Sequence, residues 1–426
     1  MYYPRVLVIS HTSFTKENSM GATLAAYLER YPAEYISQLY IKEMLPNIPV
    51  CYRYFKITDG ELLAKVKHPF RTKVGTEIAL SPSEMATVKG SGAVADARGA
   101  RKNRARGMIL RDLLWSTRLW NTRRFRAWIK KVSPEVILVQ PGDFGYLLKL
   151  ATNLSKKLDI PLVVHQSEAY YLKPQQERTL AYRIYRRRFD RAYEKMMARA
   201  SECVYLCEAL ERDYKKHFPV GCTLMKGVPA AERAPKPFDP ECPRFLYAGN
   251  LGEAVGRCRP LAELGRALKE LGCLLDVYTA STGEHMAELT EENGIRLHGA
   301  VSHDELEEKI SECDFVVHIE NDSPEHVVDL KYAFSTKIAE MLASGRCPLI
   351  YGPPEIAGIA YFKEHGLGCV IERREELGVK IRELLGSSEL REGYIARAQE
   401  WARVHHSTEK NGEKMAELLQ NARVKK

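Results

Sequence analysis

Short runs rich in β-branched and aromatic residues alternate with helical stretches along the whole chain, a pattern that restricts the fold to an α/β protein with parallel sheets. In the first half, strands are predicted at Val6–Ser10, Tyr35–Ile41, Val136–Val139, Leu162–His165 and Cys203–Leu206. In the second half they are predicted at Phe245–Ala248, Leu274–Tyr278, Phe315–Ile319, Pro348–Tyr351 and Cys369–Ile371. One helix is legible in detail. Leu261, Leu264, Leu268 and Leu271 recur at helical spacing, and Pro260 stands where a first-turn proline is tolerated.

A chain of 426 residues exceeds one ordinary domain. The proline-rich stretch from Gly227 to Pro240 reads as the divider. The expected organisation is an N-terminal Rossmann-like domain at 1–228, a linker at 229–242 and a second Rossmann-like domain at 243–400. A C-terminal helical segment at 401–426 is long enough to cross back to the first domain. The run from about Leu390 to Leu419 exceeds what the second domain needs. Ser81 to Gly107 fits neither sheet: it is poor in large apolar residues, carries Arg101-Lys102-Asn103-Arg104, and reads as a mobile basic insertion.

The segment that follows holds Trp115, Trp120, Trp128 and several arginines. It reads as a helix packing its tryptophans on the first sheet, as a basic amphipathic face resting on a membrane, or as both together. The net charge of +9 calls for an anionic partner, and nucleotide diphosphates, anionic lipid and nucleic acid all qualify. The arginine-rich insertion matches no nucleic-acid-binding motif, so nucleic acid is not expected as a partner. The ten cysteines show no CxxC pair and no zinc spacing. The apolar stretch Val6–Ile9 is too short for a signal segment and reads as a first strand. A cytoplasmic protein with reduced thiols is the resulting expectation.

Three patches carry the chemistry. The first, Tyr247 to Arg257, follows a strand and precedes a helix. Gly249, Gly252 and Gly256 allow backbone N–H groups near an anion, and Arg257 offers a fork of donors for phosphate oxygens. It matches neither the GxGxxG fingerprint nor a P-loop. In the second, Ser335 or Thr336 is placed to cap a helix running to Gly345. Thr336, Lys337 and Glu340 share one face of that helix, suited to a phosphate and a pair of sugar hydroxyls. An ordinary surface Lys–Glu pair is the plainer alternative. The third is the polar loop from Ser10 to Gly21, which opens a helix at Gly21. In open α/β sheets ligands bind beyond the carboxyl ends of strands, where all three patches fall.

Together these residues resemble the retaining glycosyltransferases of family 4, most strongly from Phe245 to Ile371. The resemblance implies the GT-B fold, two Rossmann-like domains with parallel sheets facing a cleft. Gly249-Asn250-Leu251 is similar to the family's glycine loop, which implies diphosphate contact there and at Arg257. Ser335-Thr336-Lys337 through Pro348 resembles the donor helix and its following strand, and Glu340 falls where the family holds the nucleotide ribose. Asn18 to Tyr40 resembles polysaccharide-assembly members, with Gly21 on the acceptor side. His165 and Glu168 fall where the family brings polar residues to the donor sugar. The chain departs from the family at Tyr332, which stands where a glutamate is usual, eight positions before Glu340.

The implied reaction moves a glycosyl group from a UDP- or GDP-sugar to a glycan or lipid-linked acceptor, with retention. Arg257 and Lys337 would stabilise the leaving diphosphate as catalytic residues. Gly21, His165, Glu168, Gly249, Asn250, Ser335, Thr336 and Glu340 would bind substrate. No Asp-x-Asp pair is present, so neither metal nor resident cofactor is expected. The acceptor base stays open among His165, Glu168 and His11. A sugar-nucleotide epimerase of the same architecture would interconvert donor without acceptor. A non-catalytic binder would not hydrolyse donor even slowly.

Overall fold

A computed structural model describes residues 2–16, 19–88, 104–173, 179–229 and 236–424. The chain divides into two compact units, Met1–Lys226 with Thr408–Lys426, and Gly227–Ser407.

The first unit opens with β1 (Val6–Ser10), α1 (Ser19–Leu28), β2 (Ile36–Tyr40), β3 (Arg53–Lys56), α2 (Asp59–Lys67) and β4 (Thr76–Ala79). It continues through α3 (Pro82–Thr87), α4 (Arg104–Ser116), α5 (Arg123–Val132), β5 (Val136–Val139) and α6 (Gly145–Leu158). Next come β6 (Leu162–Gln166), α7 (Leu180–Met197), β7 (Ala200–Tyr205), α8 (Glu208–Tyr214) and β8 (Cys222–Thr223). The eight strands form one sheet in the order β4-β3-β2-β1-β5-β6-β7-β8. Among the described residues only the β3–β4 pairing is antiparallel. β1 and β5 are apolar at nearly every position and buried throughout, as central parallel strands covered on both faces must be.

The second unit contains β9 (Arg244–Ala248), α9 (Cys258–Glu270), β10 (Leu274–Tyr278), β11 (Ile295–His298), α10 (His303–Glu312) and β12 (Phe315–Ile319). Then follow α11 (Pro324–Leu330), α12 (Ile338–Ala343), β13 (Cys347–Tyr351), α13 (Ala357–His365), β14 (Cys369–Ile371), α14 (Leu377–Gly386) and α15 (Ser388–His405). The parallel six-stranded sheet has the order β11-β10-β9-β12-β13-β14. Phe245 and Phe315 stack at its centre, with centroids 4.4 Å apart. On α9 the predicted stripe is real: Leu261, Leu264 and Leu268 are fully buried. Each contributes about 2 kcal/mol over an exposed side chain.

The expected helix from Leu390 to Leu419 is two helices, broken where His406 and Ser407 leave helical geometry and Ser407 bridges to Val228. The second of them, α16 (Thr408–Val424), belongs to the first unit, where Met415 and Leu419 join the core beneath β5, β6 and β7.

The insertion predicted at Ser81–Gly107 is helical at both ends. A capping box starts α3: Ser81 Oγ accepts the Glu84 N–H at 3.3 Å, and the Glu84 carboxylate accepts the Ser81 N–H at 2.7 Å. At the other end α4 already includes residues 104–107. The span between, 89–103, lies outside the described residues, as do linker positions 230–235.

The tryptophans resolve into the packing reading. Trp115 is 3% exposed, stacks on Tyr146 and donates its indole N–H to Asp59 at 2.7 Å. Trp128 is 2% exposed and packs on Phe55, while Trp120 donates to the Trp115 carbonyl. Trp115 and Trp128 are spent inside the unit, while Trp120 is half-buried. All ten cysteines are free thiols. Among the described residues no helix is long and apolar enough to cross a membrane.

Candidate functional site

In the second unit the strand order reverses between β9 and β12, so a crevice opens where the loops after these strands part. Beyond the carboxyl ends of β9, β10 and β11 lies a pocket of about 310 Å³. Ala248, Gly249 and Asn250 form one wall, Tyr278 to Ser281 a second, and Ala300, Val301 and Leu306 a third, with Lys337 at the rim.

The glycine loop that borders the pocket is more internally tied than its sequence suggests. The Gly249 N–H donates to the Tyr278 carbonyl at 3.1 Å, and the Gly252 N–H donates to Asn250 Oδ1 at 2.8 Å. The Ser281 hydroxyl donates to the same Asn250 oxygen and accepts the Leu251 N–H. Two of the three amides expected to face an anion are therefore used to brace the loop. Asn250 acts as its staple while its residue lines the pocket. Gly249 has a further reason to lack a side chain: a Cβ there would sit 2.4 Å from the Tyr247 hydroxyl.

Gly256 does what the sequence asks of it. Its φ of +66° turns the chain into α9, and a Cβ would lie 2.1 Å from Asn321 Nδ2. That turn delivers Arg257 to the end of β12. There its guanidinium donates through Nη2 and Nε to the Glu320 carboxylate, at 2.7 and 3.1 Å. Glu320 is 1% exposed and Arg257 mostly buried. Burial opposes the Arg257 charge, but Glu320 and the Tyr247 hydroxyl outweigh it, and the group titrates above its ordinary value. His318 lies 3.6 Å from the same carboxylate. Burial holds His318 down to about 4, so it is neutral at pH 7. The sequence pointed to Arg257 but missed Glu320 and His318, which lie more than sixty residues away with no motif linking them.

The Ser335–Glu340 segment is built differently from the predicted capped helix. α12 covers only Ile338–Ala343, with Lys337 itself at the cap position and no side-chain cap. Ser335 Oγ instead accepts the Lys337 N–H two residues on, and the Ser335 carbonyl accepts from Ile338. This tight turn leaves Ser335 and Thr336 half-exposed ahead of the helix. It aims the Lys337 ammonium at the Ala248 carbonyl, 3.0 Å away. Lys337 thus joins the pocket to the second patch. Glu340 is half-buried on the first turn of α12.

In the first unit the strand order reverses between β1 and β5. His11, just past β1, stacks on Phe144 with centroids 4.4 Å apart. Arg111 reaches in from α4, lying over Phe144, 3.4 Å from His11 Nε2 and paired with Asp59 at 2.7 Å. The sequence named His11 but not Arg111, which sits inside an amphipathic helix far from any loop.

Three more first-unit residues were expected at the substrate. His165 is fully buried in β6, with Tyr27 against its ring and its Nε2 without a hydrogen-bond partner. It has no exposed surface to offer a sugar or solvent, and burial lowers its pKa to about 4. The reason is the parallel-strand register, which places the whole Leu162–Gln166 run inside. Glu168 is exposed and lies 3.6 Å from Lys173, which is also bonded to Asp143. Gly21 is buried in the first turn of α1, where a Cβ would meet the Ser13 carbonyl at 2.4 Å. It is required by close loop–helix packing.

Residues 259–419 match a family described as glycosyl transferase-like. No curated protein sequence matches the chain. Solved structures share its fold over nearly their full lengths. Sucrose-phosphate synthase from Thermosynechococcus elongatus is 11% identical, with 99% of this chain and 100% of that one covered and a TM-score of 0.63. HepE of Anabaena, solved in complex with UDP, is 13% identical at 98% and 100% coverage, with a TM-score of 0.62. WaaG, a glycosyltransferase involved in lipopolysaccharide biosynthesis, is 14% identical at 97% and 99% coverage, with a TM-score of 0.54. The two α/β units with parallel sheets thus match GT-B glycosyltransferase structures, and the match to the glycosyl transferase-like family spans most of the second unit.

Proposed function

We propose that the protein transfers a glycosyl group from a nucleoside-diphosphate sugar to a glycan or lipid-linked acceptor, with retention, in surface polysaccharide or glycoconjugate synthesis at the cytoplasmic face of a membrane. The observation that carries this reading is the pairing of the 310 Å³ pocket with two cations from separate segments, Lys337 at its rim and Arg257 past the neighbouring strand. A base in the pocket puts its diphosphate toward these cations. As the glycosidic bond breaks, charge grows on that diphosphate, and preorganised cations stabilise it more than they stabilise bound donor. Two cations in place supply this stabilisation without a metal. Glu340 holds the ribose hydroxyls, with Ser335 and Thr336 beside it. In the first unit the His11–Arg111 cluster, rather than His165, is positioned to meet the acceptor.

HepE was solved with UDP and with UDP-glucose, which makes these the first ligands to test. Thermal-shift screening against UDP- and GDP-sugars should show stabilisation of roughly 2.7 kcal/mol for a ligand at a hundred times its dissociation constant. The hit should then be consumed in the presence of acceptor and slowly hydrolysed without it. Conversion to an isomeric sugar nucleotide without acceptor would establish the epimerase instead. No stabilisation by any nucleotide sugar would refute the donor site.

A further inference from the structure

On the first unit, α4 packs against α2, α6 and α7. Its inward side is Ala105, Asp112 and Trp115, so Arg106, Leu110 and Leu113 face outward at helical spacing. Leu110 is 67% exposed and Leu113 49%. On α2 the outward positions are Leu63, Val66 and Lys67, and the turn beyond carries Phe70, which is 99% exposed. On α7 the buried side is Tyr185, Phe189 and Tyr193, which turns Leu180, Ile184, Arg187 and Arg191 outward.

A soluble surface rarely exposes so many large apolar side chains on adjoining helices. Cations are interleaved with them on every helix. Arg183, Arg187 and Arg191 are exposed, and none forms an ion pair among the described residues. The acids on α2 are engaged elsewhere, Asp59 with Arg111 and Trp115, and Glu61 in the capping box of Thr58.

We infer that the outward faces of α2, α4 and α7 form a docking surface for an anionic lipid bilayer. Charge complementarity selects this occupant: apolar side chains enter the acyl boundary while lysine and arginine meet lipid phosphates at its rim. The tryptophans take no part. The surface gives the proposed cytoplasmic-face location its physical basis and is independent of donor chemistry.

The test is vesicle sedimentation of the full chain, comparing phosphatidylcholine vesicles with vesicles containing roughly 30% phosphatidylglycerol, a charge that attracts basic surfaces. Wild type should bind only the anionic vesicles, less tightly as salt rises. Leu110→Glu/Leu113→Glu and Arg187→Glu/Arg191→Glu should each weaken binding about tenfold or more, given about fivefold per basic residue at such a surface. Lys156→Glu/Lys157→Glu, an equal charge change at the end of α6, should leave it within about twofold if charge location decides. Phe70→Glu repeats the apolar test at a fully exposed turn if the leucine variant melts early. Absence of wild-type binding, loss in only one of the two helix variants, or equal loss in the α6 control overturns the inference. UDP-induced stabilisation, measured on the same proteins, reports separately on the donor site.

Discussion

Glu320→Gln is the most informative single change, because it separates two roles for Arg257. In the folded protein Glu320 is almost completely buried and accepts two charge-assisted bonds from Arg257. The amide keeps the volume but removes the charge, leaving the guanidinium uncompensated in a site that already disfavours it. Removing one partner of a buried ion pair costs about 3–5 kcal/mol. For a unit spanning Gly227–Ser407, that is a fall in melting temperature of roughly 10 °C. UDP should restore more stability to the variant than to wild type, since the diphosphate then becomes the main counter-charge of Arg257. Differential scanning calorimetry with and without UDP, on wild type, Glu320→Gln and Arg257→Ala/Glu320→Gln, reads both effects. A variant melting within about 2 °C of wild type would refute the buried pair. A large loss of stability with an unchanged UDP increment would make Arg257 a structural residue and remove it from the donor site.

Lys337→Ala should lower kcat about a hundredfold if the ammonium acts as one transition-state donor, while Glu340→Gln should raise KM more than it lowers kcat. Steady-state kinetics with the identified donor check both, and normal turnover in both would place the donor elsewhere. Gly249→Ala should weaken UDP binding, because its methyl would displace the Tyr247 hydroxyl from 2.4 Å away, and calorimetric titration measures the loss. Acid should destabilise both units. His165 and His318 stay neutral in the fold down to about pH 4. The unfolded chain takes up their protons below about 6.5, so each costs up to about 1.4 kcal/mol per pH unit in that window. Denaturation at pH 7 and pH 5 should show this loss, reduced in His165→Gln and His318→Gln relative to their own stability at pH 7. Leu419→Ala should cost about 2–5 kcal/mol in the first unit, read by chemical denaturation, because the side chain is fully buried against the sheet.

The central strands were legible because parallel strands covered on both faces read as unbroken apolar runs, as in Val6–Ile9 and Phe315–Ile319. Of the four edge strands only Cys369–Ile371 was. Thr76–Ala79 is mostly exposed, Cys222–Thr223 is two residues long, and neither buries enough side chain to leave a pattern. Ile295–His298 buries only its first residue fully and leaves Leu297 44% exposed, so it too shows no clear inward face. The Trp-rich segment was ambiguous for a different reason. Sequence gives the period of an amphipathic helix but not which solvent its apolar side meets, and here the outward Leu110 and Leu113 and the inward Trp115 lie on one helix, α4.

Glycines and cations were legible in the donor region, while their bonding was not. Gly249 and Gly252 were assigned to a ligand because glycine permits close approach, yet the approaching partners are Tyr278 and Asn250 of the chain itself. The same holds for Arg257: a guanidinium before a helix suggests phosphate, but the carboxylate facing it arrives from β12 across the sheet. These two facts bear on how such a site would work. A loop already braced by its own bonds loses little conformational freedom when a ligand arrives, so less binding energy is spent on ordering it. An arginine held on Glu320 is likewise kept in place before any diphosphate is present, at the cost of sharing its charge. Preorganisation and partial neutralisation therefore pull in opposite directions at Arg257, while Lys337 donates to the Ala248 carbonyl at 3.0 Å at the pocket rim. Held on the buried Glu320 carboxylate, Arg257 should then contribute more through positioning than through its net charge.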